Sequence, residues 1–138
     1  MNPVIRLVPL CLLLAACGEG QGASGAEPIA EAQIVAPIVA LSASEVAAMR
    51  EATEPPIFID VRTPEEYAEG HIPGARLMPL AEFDPAALDG EMVVLYCRSG
   101  RRSEEAAVRL AAHRGETVAH MEGGIIAWEE AGLPVETP

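Results

Sequence analysis

The run Tyr96-Cys97-Arg98-Ser99-Gly100-Arg101-Arg102-Ser103 sets three of the chain's nine cationic residues beside one thiol. The thiolate, not the thiol, is the nucleophile, and positive surroundings favour it. A tight loop between a strand and a helix start turns several N–H groups inward as an anion-binding nest, and the helix adds the positive end of its dipole. Gly100 permits the close turn. Arg98, Arg101 and Arg102 add charge that stabilises a thiolate and attracts a small anionic substrate, with Arg98 and Arg102 the stronger candidates. Ser99 and Ser103 are expected to cap the helix. The chemistry that suits this environment is attack by sulfur on an anion with an anionic group leaving. The atom attacked is either sulfane sulfur, which gives an enzyme persulfide, or phosphorus or arsenic. The bland alternative, an inert thiol ending a strand, fits poorly with three flanking guanidinium groups.

The elements around this loop alternate. Ser42-x-x-Glu45 is a capping box, with Leu41 and Val46 spaced as a hydrophobic staple, and predicts a helix over about Ala43–Glu51 that Pro55-Pro56 stops. Ile57–Val61 is a continuous apolar run, as a strand covered on both faces needs. Thr63-Pro64-Glu65-Glu66 signals a second helix start and Gly70 its end. Ala75–Met78 reads as a short strand. Asp84-Pro85 opens a helical turn that Asp89-Gly90 closes, and Met92–Tyr96 is a strong apolar strand. A helix follows from about Arg102 to Arg114, with Ala106, Ala107, Leu110 and Ala111 on its apolar face, a Glu105–Arg109 pair and a Gly115 cap. Thr117–Met121 is a strand, and Gly123-Gly124 turns into a last helix over about Ile125–Ala131. Such alternation implies parallel strands in a layered α/β domain. Ligands of these sheets sit beyond the carboxyl ends of the strands, where Cys97 falls.

The 138 residues suffice for one domain and an extension. The net charge of −12, with arginine as the only cation, argues against a nucleic-acid partner. Arg6 followed by the apolar run Leu7–Cys17 is too short for a typical membrane span and fits a signal segment. Its end, Leu14-Ala15-Ala16-Cys17, resembles the lipobox of bacterial lipoproteins. That resemblance implies cleavage of residues 1–16, lipidation of Cys17, and an exported, periplasmic protein held at a membrane. Gly18 in place of aspartate tilts the expectation to the outer membrane. Residues 17–37, rich in Gly, Ala, Glu and Pro, then read as a lipidated cysteine and flexible tether, and 38–138 as the domain. With Cys11 removed and Cys17 capped, Cys97 would be the single thiol in an oxidising compartment.

The domain resembles the rhodanese family in its small single-domain form. The matching residues are Asp60-Val61-Arg62, Glu66-Tyr67, Gly70-His71-Ile72-x-Gly74-Ala75, the loop Cys97–Ser103, Gly123-Gly124-x-x-x-Trp128 and Ala131-Gly132-Leu133-Pro134. They run in family order over about Leu41–Val135. The resemblance implies a mainly parallel sheet of about five strands with helices on both faces, and a sulfurtransferase of the thiosulfate type. Cys97 would be the catalytic nucleophile and would carry the persulfide. The loop from Arg98 through Ser99, Gly100 and Arg101 to Arg102 would bind the donor, Arg98 most of all. No metal or organic cofactor is implied. The expected partners are a small anionic sulfur donor and a thiol or protein acceptor. A carrier of persulfide, or a partner-binding module at the membrane, is the competing reading.

Cysteine phosphatases carry Cys-x5-Arg and usually a preceding histidine. Here Ser103 and Tyr96 hold those positions, and the loop reads one residue shorter than in rhodanese-like phosphatases and arsenate reductases, so that chemistry fits less well. Asp60 and Arg62 are expected to fix the turn after their strand, with Arg62 pairing to Glu66 or Glu69. His71 is expected to bond within a turn, and Trp128 to pack in the core. His71, His113 and His120 have no metal-ligand spacing.

Overall fold

The computed structural model describes residues 36–138, so the expected signal segment, Cys17 and residues 17–35 of the expected tether lie outside the described residues. Five strands, β1 (Ile38–Leu41), β2 (Ile57–Asp60), β3 (Arg76–Leu77), β4 (Val93–Tyr96) and β5 (Val118–Met121), form one sheet in the order β1-β5-β4-β2-β3. Every pairing in it is parallel. Four helices accompany it: α1 (Ala43–Arg50), α2 (Pro64–Glu69), α3 (Arg101–Arg114) and α4 (Gly124–Glu130). The α/β class and the parallel sheet agree with the sequence reading, which contained every strand except β1.

Why β1 escaped is plain from its burial. Ile38-Val39-Ala40-Leu41 is half-buried only at its two ends, so it shows neither alternation nor a continuous buried run. It exists because Ile38–Leu41 pair in register with Val118–Met121. Tertiary pairing, not local pattern, makes this strand.

β4 is buried along its whole length, because helices cover both faces. Val93, Leu95 and Cys97 point to one side, where α3 lays Ala106, Ala107, Leu110 and Ala111. Val94 and Tyr96 point to the other, with Val46 of α1 and Ile125 and Trp128 of α4. Trp128 is fully buried and donates its indole N–H to the Pro134 carbonyl at 2.8 Å. The tail after α4 then folds back: His71 and Glu136 exchange two backbone hydrogen bonds of 2.9 Å each.

Both capping boxes form. Ser42 caps α1 with Glu45 reaching back, and Thr63 caps α2 with Glu66 reaching back. The predicted turn at Pro85 is a 3-10 turn over Pro85–Leu88, and a further one spans Leu80–Glu82.

One feature of the topology positions the site. From β2 the chain crosses by α2 outward to the edge strand β3. From β4 it crosses by α3 in the opposite direction to β5. The loops leaving β2 and β4 therefore diverge between two adjacent strands, which opens a crevice at their carboxyl ends.

Candidate functional site

Cys97 is the first residue past β4, at that crevice, and is 1% exposed. Only Cys97, Arg98, Ser99 and Gly100 separate the strand from α3, which begins at Arg101, one residue earlier than the sequence suggests. So short a connection demands a reversal that side chains resist. Gly100 supplies it at φ 101° and is itself the helix N-cap. Its N–H donates to Cys97 Sγ at 3.1 Å.

Neither serine caps α3, contrary to expectation, because the glycine occupies the cap and no side chain bonds there. Ser99 is exposed. Ser103 is fully buried and donates its hydroxyl to the Gly100 carbonyl at 2.8 Å, bracing the turn from inside the helix. Behind it, the buried ring of His120 places Nδ1 3.4 Å from Ser103 Oγ. Burial holds the His120 imidazole below its ordinary range, against the pull of Glu104 and Glu122. The Ser103–His120 contact carried no signal in the sequence, since the two residues are joined only by α3 returning to β5.

Burial pushes the Cys97 thiol up, but hydrogen bonding from the backbone amides of Ser103, Gly100 and Ser99 outweighs it. The net shift is downward, so the inward N–H groups, not the arginine side chains, tilt the sulfur toward thiolate.

The floor of the loop is the turn from β5 into α4. Ile125 N–H donates to the Cys97 carbonyl at 2.8 Å and Ile126 N–H to the Arg98 carbonyl at 3.2 Å. Gly123 and Gly124 both have positive φ and let the two backbones touch. Read from sequence as a simple backbone turn, this pair in fact supports the cysteine loop.

The arginines diverge. Arg98 and Arg101 are exposed, and neither takes part in an ion pair among the described residues. Arg98 borders a pocket of about 180 Å³ shared with Arg62, Glu66, Glu69, Ile126 and Glu129. Arg102 instead faces Glu66 across the crevice, fork to fork, with both N···O distances 2.7 Å. Arg102 holds the Glu66 carboxyl down to about 2, against the opposing effect of burial.

Arg62 does not pair with Glu66 or Glu69 as expected. It folds back onto Asp60, two residues before it, with Nε 3.0 Å from both carboxylate oxygens and Nη2 2.7 Å from Oδ2. Glu66 is already taken by Arg102, and Asp60, fully buried at the end of β2, needs a counter-charge there. Arg62 also donates to the Gly70 carbonyl at 2.7 Å, which fixes the end of α2. Tyr96, in the place where phosphatases keep histidine, is fully buried and accepts from Ile72 N–H at 3.2 Å. Burial, and next the Asp60 carboxylate, push its phenol up, so it stays neutral. His71 bonds the Tyr67 carbonyl through Nδ1 at 3.0 Å and stacks on the Tyr67 ring, as a turn residue should. No cluster of metal-binding side chains occurs among the described residues.

The family model described as "Rhodanese-like domain" matches residues 42–131. A protein named sulfurtransferase from Allochromatium vinosum is 40% identical over 90 residues, which are 62% of this chain and 83% of that one. An uncharacterized protein of Synechocystis is 42% identical over 81 residues, 56% of this chain and 45% of its own length, so the chain spans under half of that relative. Among solved structures, a rhodanese-related protein of Thermoplasma volcanium superposes with a TM-score of 0.63 at 27% identity, covering 72% of this chain and 98% of that one.

Proposed function

From the premise that this chain belongs to the rhodanese-like domain family, whose members include sulfurtransferases, we propose that it moves sulfane sulfur through a persulfide on Cys97. The observation that carries the proposal is the 3.1 Å hydrogen bond from Gly100 N–H to Cys97 Sγ, inside a ring of amides that lowers the thiol. In the forward step the Cys97 thiolate attacks the outer sulfur of a donor such as thiosulfate. The new S–S bond forms as the donor's own S–S bond breaks, and sulfite leaves with the electron pair. In the second step a thiophilic acceptor, cyanide or a thiolate, attacks the outer sulfur, and Cys97 departs as thiolate. The amides of Arg98 through Arg102 cradle the terminal sulfur, and the exposed guanidinium groups of Arg98 and Arg101 meet the donor's anionic end. Cys97 is 1% exposed, so only a donor with a protruding single-atom sulfur reaches it.

That same burial favours a second reading, a carrier that shields its persulfide and releases it slowly to a docked partner. One assay separates the two. The domain is incubated with thiosulfate and cyanide, thiocyanate is followed, and Cys97→Ser is the control. Catalysis gives Cys97-dependent turnover. A carrier gives a mass gain of one sulfur atom without turnover, and a binding module gives neither.

We also propose that Cys17 is lipidated after removal of residues 1–16 and tethers the domain to a membrane on the exported side. Membrane fractionation of the full chain tests it: Cys17→Ala should release the protein, and a wild-type protein already in the soluble fraction overturns it.

A further inference from the structure

We infer that Glu66 sets the donor preference of this site, withholding Arg102 from dianions and so favouring a monoanionic organic persulfide over thiosulfate. The inference rests on the sulfur-transfer reading above. Arg102 stands in the first turn of α3, the helix whose N-terminus faces Cys97. It has the charge and place to bind a donor, yet its two terminal nitrogens are spent on Glu66 at 2.7 Å each. The clamp is built rather than incidental. Glu66 is the third residue of α2, and Thr63 N–H holds its Oε2 at 3.1 Å, so the carboxylate is aimed before Arg102 arrives. The pairing is a bidentate carboxylate–guanidinium fork, the arrangement hardest for a competing anion to displace.

The rest of the lining has the same bias. Arg62, beside Arg98 in the small pocket, is saturated by Asp60 and the Gly70 carbonyl. Glu66, Glu69 and Glu129 border that pocket as well. Glu69 and Glu129 thus offset the unpaired charges of Arg98 and Arg101, and the other two nearby guanidinium groups, Arg62 and Arg102, are committed to carboxylates of their own. A dianion therefore finds no net side-chain charge to hold it beyond the loop amides, whereas an organic persulfide has only one charge to place and can lay its carbon chain on Ile126. The chemical step keeps its balance. Cys97 thiolate takes the outer sulfur, the donor's S–S bond breaks, and the organic thiolate leaves with the electron pair.

The test compares thiosulfate with the persulfide of 2-mercaptoethanol as donors. Glu66→Gln keeps the side-chain length and an oxygen for Thr63 N–H while removing the charge that holds Arg102. The expected result is a fall of about fivefold in the thiosulfate KM, with the persulfide KM changing by less than about twofold. That gain should vanish when Glu66→Gln/Arg102→Gln is compared with Arg102→Gln. The unsubstituted protein gives an independent measure: kcat/KM for the persulfide should exceed that for thiosulfate by about tenfold or more. An unchanged or raised thiosulfate KM in Glu66→Gln, or a parallel shift for both donors, overturns the inference and leaves sulfur transfer intact. If the unsubstituted protein loads no sulfur on Cys97 from either donor, the sulfur-transfer reading fails and this inference falls with it.

Discussion

Gly124 leaves no room for a side chain against Cys97: a Cβ built on it would stand 2.4 Å from the Cys97 carbonyl oxygen and equally close to the Arg98 carbonyl group. Gly124 also has a φ of +58°, a region that L side chains enter at a cost. The turn into α4 and the cysteine loop are therefore one packed unit, fastened by the Ile125 and Ile126 amides.

Gly124→Ala should push the two backbones apart. The expected cost is about 2–4 kcal/mol from strain and overpacking together. Because the displaced atoms belong to the cysteine loop, sulfur loading of Cys97 should also fall by about tenfold or more at temperatures where the variant is still folded. Urea denaturation and timed mass spectrometry check the two parts. A variant with wild-type stability would show that the loop yields freely.

The thiol makes a prediction in pH. The amides around Cys97 lower it below the ordinary value despite burial. Its thiolate absorbance in the ultraviolet, read as the difference from Cys97→Ser, should follow one ionisation whose midpoint lies below that of a free cysteine, about 8.5. A depressed acid also links to folding. Relative to Cys97→Ser, the stabilisation from the bound thiolate is fully present above the unfolded-state value and is lost as pH falls through the folded one. A midpoint at or above that of free cysteine would contradict the amide ring as the source of thiolate.

Much of this arrangement was legible in the sequence, and what was not has a common cause. Capping boxes, glycine stops and the apolar runs of β2 and β4 are local signals, and they placed Cys97 at the mouth of the sheet. Partners across space are another matter. Nearness along the chain points Arg62 to Glu66 or Glu69, yet Asp60 holds Arg62, and Glu66 reaches Arg102, thirty-six positions on, because β2 and β4 are neighbours. β1 is likewise a product of strand adjacency, and the Ser103–His120 contact of α3 packing back on β5. The two serines depart from the expected cap for a different reason: a glycine in the left-handed region ends the loop and begins the helix, leaving no cap to fill.

The buried pair at the end of β2 should dominate stability. Asp60 is fully buried and Arg62 is 4% exposed. Asp60→Asn would leave the guanidinium buried with a neutral partner, at an expected cost of about 3–5 kcal/mol. Equilibrium urea denaturation measures it, and a loss below about 1 kcal/mol would mean that water reaches Arg62 once its partner is gone.

The Glu66 clamp predicts a defined acid limb. Arg102 holds the Glu66 carboxyl down to about 2, from an ordinary 4.5. The folded state thus binds its proton less readily than the unfolded chain. The contribution is complete above pH 4.5 and drains away as the pH falls toward 2. Since 23% of the Glu66 side chain and 32% of the Arg102 side chain remain exposed, solvent screening reduces the net worth of the pair to about 1 kcal/mol. Glu66→Gln should therefore lie below the wild type by about that much at neutral pH, with the two curves converging across this acid window. Added salt should narrow the gap at neutral pH, because screening weakens a partly exposed pair. Parallel curves down to pH 2 would mean that Glu66 contributes through packing and its Thr63 cap alone, and the charge of Arg102 would then be free for a donor in the wild type as well.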